Sequence, residues 1–241
     1  MEKKTIYVII PAAGKGLRMG GPVPKLLLEV AGIPVIARTL LAFEKSETAD
    51  YKLLIVTSSE LRPTIKDLVE TYSITSVIGY VEGGATRTES VSNGVKFLEE
   101  NGVSGDDIVF VHDGARCLVD EDILNASVDS MSSFDVSVAS IPVKNTLKIT
   151  EVNDRGDVVV KSTPDRETIR EVQTPQCFKF DVLKKCYKYA ADNNVSATDD
   201  TALAEMLGIP VCITEGSYSN IKITTAEDIP VAEEITRRRE G

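Results

Sequence analysis

Five short, almost wholly apolar runs constrain this chain more than anything else in it. They occupy residues 6–10, 53–57, 76–81, 107–112 and 136–141. Each has strand length and carries β-branched residues. An apolar run without in–out alternation must be covered on both faces. Between the runs lie stretches with helical spacing of apolar residues, at about 35–46, 61–72, 89–101 and 121–132. Buried strands joined by amphipathic helices build a parallel sheet with helices on either side. The expected fold is therefore α/β, a doubly wound, Rossmann-like, mostly parallel sheet. The chain has 241 residues, no Trp and 42% hydrophobic content, so one such domain with a mainly aliphatic core is within reach.

The pattern breaks after Pro142. Residues 146–152 and 157–162 read as two strands joined by Asn153-Asp-Arg-Gly156, a turn signal. Leu147 and Ile149 alternate with polar neighbours. This predicts a β-hairpin arm, over about 143–168, projecting from the main body. An isolated hairpin is marginal in water, so the arm either docks on a second subunit or folds back on its own sheet. Helical patterns resume at 180–193 and 199–207. A strand pair at 211–214 and 220–223 follows, then a terminal helix from Ala226. Neither repeats nor a low-complexity linker interrupts this order, so residues 1–241 read as a single domain carrying an arm.

The first strand runs directly into Pro11-Ala-Ala-Gly-Lys-Gly-Leu-Arg-Met-Gly-Gly-Pro-Val-Pro-Lys25. Doubly wound sheets bind ligands at the carboxyl ends of their strands. Small residues admit a ligand close to the backbone, whose N–H groups can cradle phosphates. Arg18 and Lys25 add positive charge. A dinucleotide fingerprint fits Gly14 and Gly16 but fails at Met19, and a P-loop fails at Pro22. The loop reads as a phosphate site of a third kind.

Net charge is −10, from 27 basic and 37 acidic residues. A chain this acidic is a poor nucleic-acid partner, and cations that serve anionic substrates must be gathered in one pocket. No apolar run reaches membrane-spanning length and no signal-peptide core is present. The cytoplasm is the expected location, with the plastid stroma as the alternative if a transit peptide has been removed. Cys117, Cys177, Cys186 and Cys212 form no C-x-x-C pair and read as reduced, packed thiols.

Asp113 closes a buried strand in Phe110-Val-His-Asp. A carboxylate there suits Mg²⁺, which takes one or two carboxylates plus phosphate oxygens. Arg116 can touch a nucleotide or pair with Asp113. His112, the only histidine, has no Ser or Asp relay around it and reads as a buried structural residue. Lys222 lies between Ile221 and Ile223, so strand alternation puts it on the opposite face.

The loop resembles the pyrophosphorylase-type signature of nucleotidyltransferases, and more specifically the 2-C-methyl-D-erythritol 4-phosphate cytidylyltransferase family. The likeness recurs in order at Gly83-Gly-Ala-Thr-Arg-Thr-Glu-Ser-Val91, Val111-His-Asp-Gly-Ala-Arg116, Pro142-Val-Lys-Asn-Thr-Leu-Lys148, Asp165-Arg166, Gln173-Thr-Pro-Gln176, Thr198-Asp-Asp200 and Asn220-Ile-Lys-Ile-Thr224. The resemblance implies a fold of the nucleotide-diphospho-sugar transferase kind. It also implies transfer of CMP from CTP to a small polyol phosphate, with Mg²⁺. It puts Arg18, Lys25 and Lys222 on the phosphates as catalytic cations and Asp113 on the metal. The nucleotide would lie against Ala12, Ala13, Gly14, Gly16, Gly83, Gly84, Ser90 and Arg116. The acceptor would meet Thr146, Arg166, Thr174, Thr198 and Lys222. It further implies a homodimer in which the arm carries Arg166 into the neighbouring site.

Three positions depart from the family pattern. Asn145 stands where Asp is usual, Cys117 where Pro is usual, and Ala85 where some relatives carry Asp. A ribitol 5-phosphate cytidylyltransferase shares the loop and the metal Asp. A non-catalytic nucleotide-binding regulator is the reading from another class.

Overall fold

The computed structural model describes residues 4–14 and 23–240. In chain order its elements begin with β1 (Thr5–Pro11), a short hairpin of β2 (Glu29–Val30) and β3 (Ile33–Pro34), and α1 (Val35–Glu44). Next come β4 (Asp50–Thr57), α2 (Arg62–Thr71), β5 (Val77–Glu82), α3 (Arg87–Glu100), β6 (Ile108–Val111), α4 (Glu121–Ser130) and β7 (Val136–Pro142). The chain continues with β8 (Ile149–Val152), β9 (Val158–Ser162), β10 (Arg170–Lys179), α5 (Phe180–Asp192) and α6 (Thr201–Met206). It ends with β11 (Cys212–Glu215) and α7 (Asp228–Glu240).

Seven strands form one sheet in the order β11-β7-β10-β6-β1-β4-β5, and every strand except β10 runs in the same direction. Side chains alternate across it as the pleat requires. Ile6, Val8 and Ile10 of β1 join one apolar core with α1 and α4. Ile9 joins the other, with α3, α5 and α6. Ile108 and Phe110 of β6 divide from Val109 and Val111 in the same way. Helix starts are set by local chemistry. Thr86 caps α3 by accepting from the Glu89 N–H, and Asp120 caps α4 by accepting from Ile123.

Two sequence expectations are corrected. Residues 170–179, not read as a strand, form the longest one in the sheet, antiparallel to both β6 and β7. Pro175 argues against a central strand because it cannot donate to a ladder. The structure resolves this with a register break against β7 between Val172 and Gln176, which lets Pro175 sit in the irregular stretch. Residues 220–223, expected as a strand, are irregular. Their backbone groups go elsewhere: Ile223 donates to the Ala115 carbonyl, and the Asn220 carbonyl accepts from Arg116.

The arm, β8 paired with β9, forms a separate two-stranded sheet, bonded to no strand of the main sheet. Its turn is held by the Asn153 side chain, which accepts from the Arg155 and Asp157 N–H groups, and by Gly156 at φ +85°. Val152 and Val158 face each other across it, with Val160 two residues on along the same face, all more than half exposed. No helix among the described residues is long and apolar enough to cross a membrane.

Candidate active site

A cavity of about 820 Å³ opens at the carboxyl ends of β1 and β6. Its floor is the small-residue run after β1, Pro11 to Gly14, where Ala12 is fixed by donating to the Val56 carbonyl. The opposite wall comes from the turn leading into α3. There Gly83 packs so closely on Ala13 that a Cβ at 83 would lie 2.3 Å from the Ala13 Cβ. Ser90 steadies this turn: its hydroxyl accepts from the Gly84 N–H at 3.0 Å and donates to the Thr86 carbonyl. Lys25 begins a 3₁₀ turn anchored by buried Leu26, and its Nζ donates to the Ile223 carbonyl at 3.2 Å.

Asp113 is the centre of charge. Its carboxylate, 11% exposed, meets Lys222 Nζ at 2.8 Å, Arg116 Nε at 3.6 Å and Arg87 Nε at 3.8 Å. Burial opposes ionisation, but Lys222, Arg87 and Arg116 outweigh it and hold the carboxyl down at about 2. Asp113 is thus a fixed anion at neutral pH. Lys222 does reach the site, though not by strand alternation. Ile223 is pinned to Ala115, and the Asn220 amide donates to the Thr174 carbonyl, so the segment presents the lysine between them.

A second cavity, of about 190 Å³, adjoins the first. It is lined by polar groups of the β10 break, among them Gln173, Thr174 and Gln176, and by Thr198 and Arg116. Arg87, Asp113 and Lys222 line both cavities and form the junction between them. Beneath the junction His112 is fully buried. Its Nε2 lies 3.1 Å from the Arg116 carbonyl, an acceptor, so Nε2 carries the hydrogen. Nδ1 then accepts from the Thr174 hydroxyl at 3.0 Å. That hydroxyl also accepts from the Asp113 N–H. Burial keeps His112 neutral by lowering its pKa to about 4.

The sequence profile of the 2-C-methyl-D-erythritol 4-phosphate cytidylyltransferase family matches residues 6–238. The chain belongs to that family. A 2-C-methyl-D-erythritol 4-phosphate cytidylyltransferase from Alkaliphilus oremlandii is 40% identical over 235 residues, covering 97% of this chain and 96% of the relative. One from Geobacter metallireducens is 37% identical, covering 97% and 98%. Among solved structures, 4-diphosphocytidyl-2C-methyl-D-erythritol synthase from Anaerococcus prevotii superposes with a TM-score of 0.79 at 30% identity, covering 97% of this chain and 99% of that one. The Thermus thermophilus cytidylyltransferase gives 0.72 at 32% identity, with 98% and 100% covered. The chain is accordingly a nucleotidyltransferase of this family.

The residues expected of a 2-C-methyl-D-erythritol 4-phosphate cytidylyltransferase fall into four groups here. Ala12, Ala13, Gly14, Lys25, Gly84, Ser90, Asp113 and Lys222 line the larger cavity, with Gly83 packed behind Ala13. Arg116, Thr174 and Thr198 line the smaller one. Arg116 donates to the Asn220 and Val172 carbonyls and flanks Asp113, so it closes the loop and lies outside the larger cavity. Thr146 and Arg166 are exposed at the two ends of the arm and line neither cavity. Gly16 and Arg18 lie outside the described residues.

Arg87 was missed as a site residue, as were Asp200 and Tyr187, which hold it. A signal was present. Thr86 and Glu89 have capping-box spacing, which fixes residue 87 at the first position of a helix entering the site.

Among the described residues no three metal-ligating side chains gather. A metal here would therefore take one carboxylate from the protein and complete its shell from phosphates and water, the habit of Mg²⁺. Asp113 suits this, because among the described residues its Oδ1 has only the long Arg87 contact.

Proposed function

We propose that this chain transfers CMP from CTP to 2-C-methyl-D-erythritol 4-phosphate, releasing pyrophosphate, in isoprenoid precursor synthesis. The observation that carries this reading is the junction. A nucleotide-sized cavity and a smaller polar one meet where Lys222, Arg87 and Asp113 converge, with Lys25 on the wall of the larger cavity. CTP occupies the larger cavity, its base against Ala12 and Ala13 and its phosphates towards Lys25 and the loop that carries Arg18.

An oxygen of the acceptor phosphate attacks the α-phosphorus in line. A new P–O bond forms as the α–β bond breaks, and pyrophosphate leaves with the electron pair. A phosphomonoester has a second pKa of about 6, so the nucleophile is already ionised and needs no general base. His112, buried and neutral, is consistent with that. The work of the site is charge neutralisation and positioning. Lys25, Lys222 and Arg18 offset the charge growing on the leaving group. Asp113 would hold Mg²⁺, which when bound neutralises and orients the triphosphate.

The active unit is a homodimer. The exposed arm docks on a second copy, and Thr146 and Arg166 of the partner subunit complete the acceptor pocket beside Thr198.

Pyrophosphate release from CTP, Mg²⁺ and either acceptor tests the reading. Release with 2-C-methyl-D-erythritol 4-phosphate is expected; release only with ribitol 5-phosphate, or with neither, overturns it. Lys25→Ala should lower kcat by about 10²–10³ with an unchanged circular dichroism spectrum. Near-wild-type turnover in that variant would remove Lys25 from the mechanism.

A further inference from the structure

We infer that Arg87 is a further substrate-binding residue, gripping the acceptor phosphate at the junction of the two cavities, and that Asp200 and Tyr187 position its guanidinium. This rests on the proposed seating of nucleotide and acceptor in those cavities.

Arg87 is the first residue of α3. The positive end of the helix dipole disfavours a cation there and favours a carboxylate. The helix start is already satisfied by Thr86 and Glu89, so Arg87 does nothing for its own helix. Its partner is Asp200, 113 residues away, just before α6. The Asp200 carboxylate receives Nη1 at 2.8 Å and Nη2 at 2.6 Å, and it accepts from the Tyr187 hydroxyl as well. Asp200 is itself fixed from β10, its N–H donating to Gln176 Oε1 at 2.7 Å.

This pair, with Asp200 buried and Arg87 partly exposed, commits one edge of the guanidinium. Nε turns towards Asp113 Oδ1 but stops at 3.8 Å, too far to consume its hydrogen. The planar fork is thus locked with donors left over where both cavities open. Around it Lys222, Arg87 and Arg116 are matched by Asp113, Asp200 and, on the wall of the smaller cavity, Asp199. Lys25 on the larger cavity tips the balance to positive, as a meeting point of two phosphates requires. A partly buried ion pair kept only to tie α3 to the start of α6 would be a weak stabiliser. Holding one arginine edge-on to a ligand gives the pair a use.

Steady-state kinetics with each substrate varied in turn tests the assignment. Arg87→Lys keeps the charge but cannot span both Asp200 oxygens and still reach the junction. It should lower kcat/KM for the acceptor about a hundredfold and leave KM for CTP within about threefold. Tyr187→Phe leaves the Arg–Asp pair and should cost about tenfold in the same parameter. If Arg87→Lys retains the acceptor kcat/KM within threefold, the inference fails. It also fails if both variants lose CTP and acceptor kinetics equally along with thermal stability, the mark of a purely structural tie. Lys25→Ala is the control. If it too is near wild type, the seating of the substrates is at fault; if it alone is impaired, Arg87 has no role in binding.

Discussion

His112 shows how much can rest on one side chain. It is the only histidine and is buried neutral, with its pKa lowered to about 4. In the unfolded chain it returns to about 6.5. As pH falls through 6.5 the unfolded state takes up a proton that the native state refuses until about 4. Stability is therefore complete above 6.5 and is lost across that window. Urea unfolding at pH 8 and pH 5 should differ by about 2 kcal/mol, and His112→Gln should flatten the step. No other side chain titrates there unperturbed, so a wild-type stability independent of pH from 8 to 5 would refute the neutral assignment. At this scale the sequence was legible wherever a residue's chemistry was local. Asp113 follows a buried strand and Lys25 belongs to a glycine-rich loop. Arg87 was not legible, because its meaning depends on Asp200 and Tyr187, which only the tertiary fold brings to it.

Among the elements, the five apolar runs and four intervening helices were legible because each buries its own periodic pattern. β10 was not. Its first three residues are exposed, two of them charged, and its second half contains Pro175. Only the neighbours β6 and β7 make it a central strand, and the break at Val172–Gln176 is what builds the smaller cavity. The segment at 220–223 failed in the opposite sense. Its alternation is real, but Ala115 and Arg116 take its backbone groups before any strand can. The β8–β9 hairpin was legible from its turn chemistry, though its first strand begins at Ile149 rather than at 146. Val160→Asp should cost the isolated fold no more than about 0.5 kcal/mol, because the side chain is 59% exposed. Under the proposed docking, light scattering should nevertheless report a dimer-to-monomer shift, with turnover lost as Arg166 of the partner subunit is withdrawn. A fully active wild-type monomer at micromolar concentration would refute the docked arm.

The whole molecule sets its positive junction inside a body of net charge −10, so anions are held by a local field and repelled elsewhere. The interior is otherwise inert. Burial pushes the Cys117 and Cys186 thiols up to about 11 and Cys177 higher still, whereas Cys212 is partly exposed on edge strand β11. Since the thiolate is the reactive form, Ellman's reagent at pH 8 should titrate one thiol quickly in the native protein and four after unfolding. Two or more fast thiols in the native state would contradict this packing.

The rung that pairs Pro142 with Arg170 has a further consequence. Everything between them, arm included, leaves the sheet and returns to neighbouring positions about 5 Å apart. Topologically the excursion is a cassette spliced into one edge-to-edge join of an otherwise continuous scaffold. Neither of its strands pairs with a strand of the seven-stranded sheet. Yet Arg166 lies within it. A change in the cassette that alters the proposed docking therefore alters, in the same stroke, the cation proposed for the acceptor.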